Sequence, residues 1–154
     1  MKAKDIMTKN VIAVKRDATV EEIVTLLLEH KISGVPVVDD KYEVIGVVTE
    51  EDLLYKKKLP IPVTFIYQYG RYINHKKLVE EIRKMTGTKA QDIMCTNIIC
   101  TSEDTPVRDI VSLMITKGVK RVFVTRDGKL VGLVSKADIL KGIIIKGREA
   151  IHAG

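Results

Sequence analysis

The chain has 154 residues, 45% hydrophobic and 30% charged, with a formal net charge of +6. That length suits one ordinary domain or two halves that would be marginal alone. No apolar run approaches the roughly twenty residues needed to cross a bilayer, and the start, with Lys2, Lys4 and Asp5, lacks the apolar core of a secretory signal. The expectation is a cytoplasmic protein with no membrane span. Cys95 and Cys100 form a C-x4-C pair without a second pair or a nearby His, which does not match a zinc site, so two reduced thiols in or beside a strand are expected.

Asp5, Ile6, Met7 and Asn10 open the chain ahead of a short apolar strand at Val11 to Val14. Val20, Ile23, Val24, Leu27 and Leu28 then mark one face of an amphipathic helix, and Thr19 with Glu22 forms a capping box at its start. Two β-rich runs follow, Val35 to Val38 and Val44 to Val48, joined by a polar turn at Asp39, Asp40 and Lys41. A helix begins after Thr49. Residues 55 to 89 hold nine Lys or Arg against two Glu, a net charge of +7, which leaves the rest of the chain at −1. Five of the seven aromatic residues fall in the same stretch. Within it, Leu59 to Pro62 breaks regular structure, Val63 to Ile73 is apolar and aromatic, and Leu78, Val79, Ile82 and Met85 mark a short amphipathic helix ending near Gly87.

After this connector the order repeats. Asp92, Ile93, Met94 and Asn97 match the opening residues at a constant shift of 87 positions. Beyond one deletion the shift is 86, and Gly46, Val48, Asp52 and Leu54 return as Gly132, Val134, Asp138 and Leu140. Val107, Ile110, Val111, Met114 and Ile115 repeat the helical stripe, with Thr105 as the expected cap and Pro106 at the first helical position. Asp127 and Gly128 signal a tight hairpin between Val122 to Val124 and Leu130 to Val134. The fold class is α/β, strand-helix-strand-strand-helix twice over. The division is 1–54 for the first repeat, 55–87 for the connector, 88–142 for the second repeat and 143–154 for a tail.

Both copies keep an S/T-x-x-D pattern directly after a glycine-containing apolar strand: Thr49 to Asp52 and Ser135 to Asp138. The pattern is a helix capping box, and it also suits a ligand. A helix start presents free N–H groups and partial positive charge to a phosphate, and an Asp three residues on can accept hydrogen bonds from a ribose diol. No P-loop, HExxH, G-x-S-x-G or Cys-His arrangement is visible, so no catalytic and no metal-binding residues are expected. His30, His75 and His152 share no motif.

DIMTKNVIAV, ISGVPVVDD and VIGVVTEED, with their partners DIMCTNIIC, VKRVFVTRDG and LVGLVSKAD, resemble the cystathionine-β-synthase (CBS) domain. The tandem arrangement resembles a Bateman module. The resemblance implies two βαββα repeats packed through their β-sheets with pseudo-twofold symmetry, and clefts that bind AMP, ADP, ATP or S-adenosylmethionine as regulatory ligands rather than cofactors. Carried over residue by residue, it implies one cleft using Thr49 and Asp52 with Ile99, Val119, Lys120 and Arg121. The other would use Ser135, Lys136 and Asp138 with Met7, Ile12, Ile32 and Ser33. It further implies a homodimer of modules and an effector protein that responds to the ligand. The alternative is a nucleic-acid or protein adaptor acting through the basic, aromatic connector. The absence of a known RNA or DNA motif favours the sensor.

Overall fold

The computed structural model describes residues 1–54 and 88–153, so every expectation for the connector, including its short helix and basic cluster, lies outside the described residues. In chain order the described elements are α1 (Ala3–Ile6), β1 (Val14–Lys15), α2 (Val20–His30), β2 (Gly34–Val38), β3 (Val44–Thr49) and α3 (Glu50–Leu54). They continue as α4 (Ala90–Ile93), β4 (Cys100–Ser102), α5 (Val107–Lys117), β5 (Arg121–Arg126), β6 (Lys129–Ser135) and α6 (Lys136–Ala153). The chain is mixed α/β and forms two compact units. One is Ile12–Asn97; the other joins Met1–Val11 to Ile98–Gly154.

In the unit of residues 12–97, β1 pairs parallel to β2 and β2 antiparallel to β3. The stripe read from the sequence supplies the core: Val20, Ile23, Val24 and Leu27 of α2 pack with Val35, Val37 and Val48 of the sheet. Thr19 caps α2 as expected, its Oγ1 accepting from Glu22 N–H at 3.1 Å while the Glu22 carboxylate accepts from Thr19 N–H at 3.3 Å. Ala90 and Ile93 of α4 are buried in this same core. Backbone hydrogen bonds fix α4 in place, Ala90 N–H to Ala18 O at 2.8 Å and Gln91 N–H to Arg16 O at 2.9 Å.

The other unit repeats the plan with β4 parallel to β5 and β5 antiparallel to β6. Ile110, Met114, Val122, Val124 and Val134 form its core together with Ala3 of α1. The corresponding backbone bonds are Ala3 N–H to Thr105 O at 2.8 Å and Lys4 N–H to Glu103 O at 3.0 Å. The short helices α4 and α1 thus dock on the loops that precede α2 and α5 respectively.

Three local expectations change. The first strand is shorter and later than Val11 to Val14, since only Val14 and Lys15 pair with β2. Thr105 does not cap α5. Pro106, at φ −60 and ψ 141, is itself the last non-helical residue and the helix begins at Val107. The residue before a proline is held extended, and the Thr105 hydroxyl instead meets those of Thr101 and Ser102. The residues set apart as a tail continue α6 without a break to Ala153.

Candidate functional site

The two S/T-x-x-D segments fold alike at a strand-to-helix corner. At the end of β3, the Thr49 N–H and Oγ1 both donate to Asp52 Oδ2, at 3.2 and 3.0 Å, and Asp52 N–H returns a bond to Thr49 Oγ1 at 3.1 Å. At the end of β6, the Ser135 N–H and Oγ donate to Asp138 Oδ2 at 2.9 and 3.0 Å, and Asp138 N–H donates to Ser135 Oγ at 3.3 Å. Both are reciprocal caps, so the capping role is realised twice. Asp52 and Asp138 are only 1% and 7% exposed, which is rare for carboxylates and requires such hydrogen bonding. A hydroxyl has one proton, and here it is given to the carboxylate. A phosphate arriving at either corner must draw that proton away or use other donors.

Glycines in the adjoining strands show what the opening D-I-M segments do. A Cβ added to Gly46 would stand 2.7 Å from Met94 Sδ, and one added to Gly132 would collide with Met7 Sδ. Each methionine therefore lies across a strand where only a glycine leaves room. The Asp of each segment accepts a backbone N–H at the start of its short helix, Lys2 N–H to Asp5 at 2.8 Å and Lys89 N–H to Asp92 at 2.9 Å. The next residue pairs with the strand: Thr8 N–H donates to Leu133 O at 2.8 Å and Leu133 N–H to Thr8 O at 3.0 Å. Cys95 and Val47 make the equivalent pair at 2.8 and 2.9 Å.

Thr8 was absent from the residues singled out by sequence, yet its Oγ1 donates to Asp138 Oδ1 at 3.1 Å, with a longer approach of 3.3 Å to Oδ2. The available signal was the mismatch of Thr8 with Cys95 directly after the repeated Asp-Ile-Met, one of two differences between DIMTKN and DIMCTN.

The remaining expected residues divide between the units. In the unit of residues 12–97, Ile12 and Ile32 are half-buried against the core, and exposed Ser33 accepts Glu50 N–H through its carbonyl at 2.9 Å. In the other unit, Met7, Ile99 and Val119 are half-buried against its core, while Lys120 and Lys136 are exposed. Arg121 stands directly across the β5–β6 pair from Ser135, where the first unit has Gly34 across from Thr49. Cross-strand neighbours share a sheet face, so a cationic residue accompanies the Ser135 corner and none occupies the matching position beside Thr49. Among the described residues no group of three or more His, Cys, Asp or Glu is placed to hold a metal ion, and no helix is long and apolar enough to cross a membrane.

A family model described as the CBS domain matches residues 3–58 and again 90–145. An uncharacterised protein of Methanocaldococcus jannaschii is 27% identical, with 94% of this chain and 92% of that protein aligned. Inosine-5'-monophosphate dehydrogenase of the same organism is 28% identical over 91% of this chain, which spans only 23% of the enzyme's length. Among solved structures, CBSX2 in complex with AMP superposes with a TM-score of 0.71 at 27% identity, covering 93% of this chain and 96% of that one.

Proposed function

We propose, from the premise that this chain belongs to the CBS domain family, that it is a non-catalytic regulatory module whose two S/T-x-x-D corners bind the ribose-phosphate part of an adenine nucleotide. The observation that carries this reading is the pair of buried carboxylates, Asp52 and Asp138, each held at a helix start by a hydroxyl. The likeness to a protein solved with AMP supports the choice of ligand. In this proposal Thr49 and Asp52 act with Ile99, Val119, Lys120 and Arg121 on one ligand. Ser135, Lys136 and Asp138 act with Met7, Ile12, Ile32 and Ser33 on another. On the first ligand Arg121 is assigned the bidentate phosphate contacts, a role lysine fills less well, although within its own unit it stands across from Ser135. A homodimer of modules and a responding effector protein belong to the same proposal. Ligand shifts such a system only by binding its states with different affinity.

A thermal-shift panel of AMP, ADP, ATP, NAD and S-adenosylmethionine tests it. A ligand at a hundredfold excess over Kd adds about 2.7 kcal/mol to the folded state. At least one adenosine compound is expected to raise the melting temperature, and the rise should shrink in Asp52→Asn and Asp138→Asn. Asparagine keeps an acceptor for the cap, so it separates lost binding from lost folding better than alanine. No response to any compound in the wild type would sink the nucleotide reading.

A further inference from the structure

The hydrogen-bond capacity around Asp138 leaves a gap that points to another ligand-binding residue. A carboxylate has about four lone-pair sites. Oδ2 is filled by the Ser135 N–H and Oγ, and Oδ1 gives one of its two sites to Thr8 Oγ1. One site is left, whereas a ribose diol brings two donors. Ser135 N–H to Oδ2 and Asp138 N–H to Ser135 Oγ hold the cap of α6, and while the Ser135 hydroxyl also donates to Oδ2 the second diol donor has no site on the carboxylate. The Thr8 oxygen, its own proton committed to Asp138, still has a lone pair to offer, and Thr8 is exposed where Asp138 is 7% exposed. Thr8 Oγ1 and Asp138 Oδ1 lie 3.1 Å apart, a spacing suited to two oxygens on adjacent ring carbons.

We propose that Thr8 binds the ligand directly, its hydroxyl oxygen and Asp138 Oδ1 forming a two-point acceptor edge that reads the two hydroxyls of a vicinal diol. The inference rests on the nucleotide reading above and specifies it. In the other unit the same place on the strand belongs to Cys95, paired with Val47 as Thr8 is with Leu133. Sulfur is a weak acceptor. The Asp52 corner therefore reads the diol less stringently, and the two corners differ in their discrimination between ribose and deoxyribose.

The test is an NMR titration of the 17.3 kDa chain with AMP and its 2'-deoxy and 3'-deoxy analogues, following the Ser135 and Asp138 amides. Each analogue is expected to bind the wild type about tenfold more weakly than AMP at these amides. Thr8→Val should weaken AMP about tenfold and abolish discrimination against one analogue only, with Thr8→Ser restoring it. Full discrimination against both analogues in Thr8→Val would overturn the inference while leaving the nucleotide reading intact. Absence of any response in the wild type to AMP, ADP, ATP, NAD and S-adenosylmethionine alike removes both. Should Thr8→Val fail to fold, Cys95→Thr runs the test in reverse. Discrimination followed at the Thr49 and Asp52 amides should then rise about tenfold, and no rise overturns the inference.

Discussion

The two units form an internal experiment at single residues. Helix α2 ends on Lys31 with φ 52 and ψ 46, and α5 ends on Gly118 with φ 64 and ψ 32. A Cβ in this left-handed conformation costs roughly 1–2 kcal/mol. Lys31→Gly should therefore stabilise the protein by about 1 kcal/mol in chemical denaturation. Gly118→Ala should destabilise it by a similar amount, although a Cβ there would meet nothing within 4 Å. Titration behaviour is also local. The Arg126 guanidinium donates to both carboxylate oxygens of Glu103, with Nη2 to Oε2 at 2.7 Å, and this bond, ahead of simple charge attraction, holds the Glu103 carboxyl below its ordinary range. A depressed carboxyl favours the folded state at pH above its unfolded value, and that contribution disappears as pH falls through the folded value. In Arg126→Ala the Glu103 midpoint, read by carbon NMR, should rise. The effect should diminish in high salt because the arginine is exposed.

Among the elements, packing of a methionine over a strand glycine is the recurring device. Gly132→Ala forces its Cβ into Met7 and should destabilise by about 1 kcal/mol or more, partly relieved in a double variant with Met7→Ala. Helix α6 supplies a contrast: a Cβ at Gly142 would stand 2.8 Å from Ile6 Cγ2, whereas at Gly147 it would meet nothing within 4 Å. Gly147→Ala should stabilise by about 0.5–1 kcal/mol and Gly142→Ala should not, a difference readable in melting curves. Helices α2 and α5 and the hairpins were legible in the sequence because their hydrophobic patterns repeat along the element, whereas the far half of α6 was not. The four-residue helices α1 and α4 were not, since one turn shows no period and their stabilising bonds reach loops far along the chain. The same reasoning separates the halves of the candidate site. Ser135 and Asp138 are three residues apart and could be read as a pair, whereas Thr8 is 130 positions from the carboxylate it touches.

For the whole molecule, the repeats of the sequence and the compact units of the structure divide the chain differently. The family matches cover 3–58 and 90–145, whereas the units are Ile12–Asn97 and Met1–Val11 with Ile98–Gly154. Aligning the copies establishes that Met7 corresponds to Met94 but cannot tell which glycine each covers. Met7 in fact covers Gly132 and Met94 covers Gly46. A cut between residues 11 and 12 should consequently leave the first eleven residues bound to the rest of their unit. An added peptide of that sequence should raise the melting temperature of a chain lacking it, and no rise would contradict the assignment.

Vectorial synthesis gives this arrangement a temporal meaning. The strands and helices of residues 12–97 can pair as soon as they are made, α4 included. Residues 1–11 precede them, yet their partners, Thr105, Leu133 and Asp138, are among the later residues to emerge. Until then Met7 and Thr8 have no strand of their own, and Gly46 and Val47 present a similar vacancy before Met94 and Cys95 arrive. The growing chain must keep its first segment from settling on the earlier of two look-alike strands.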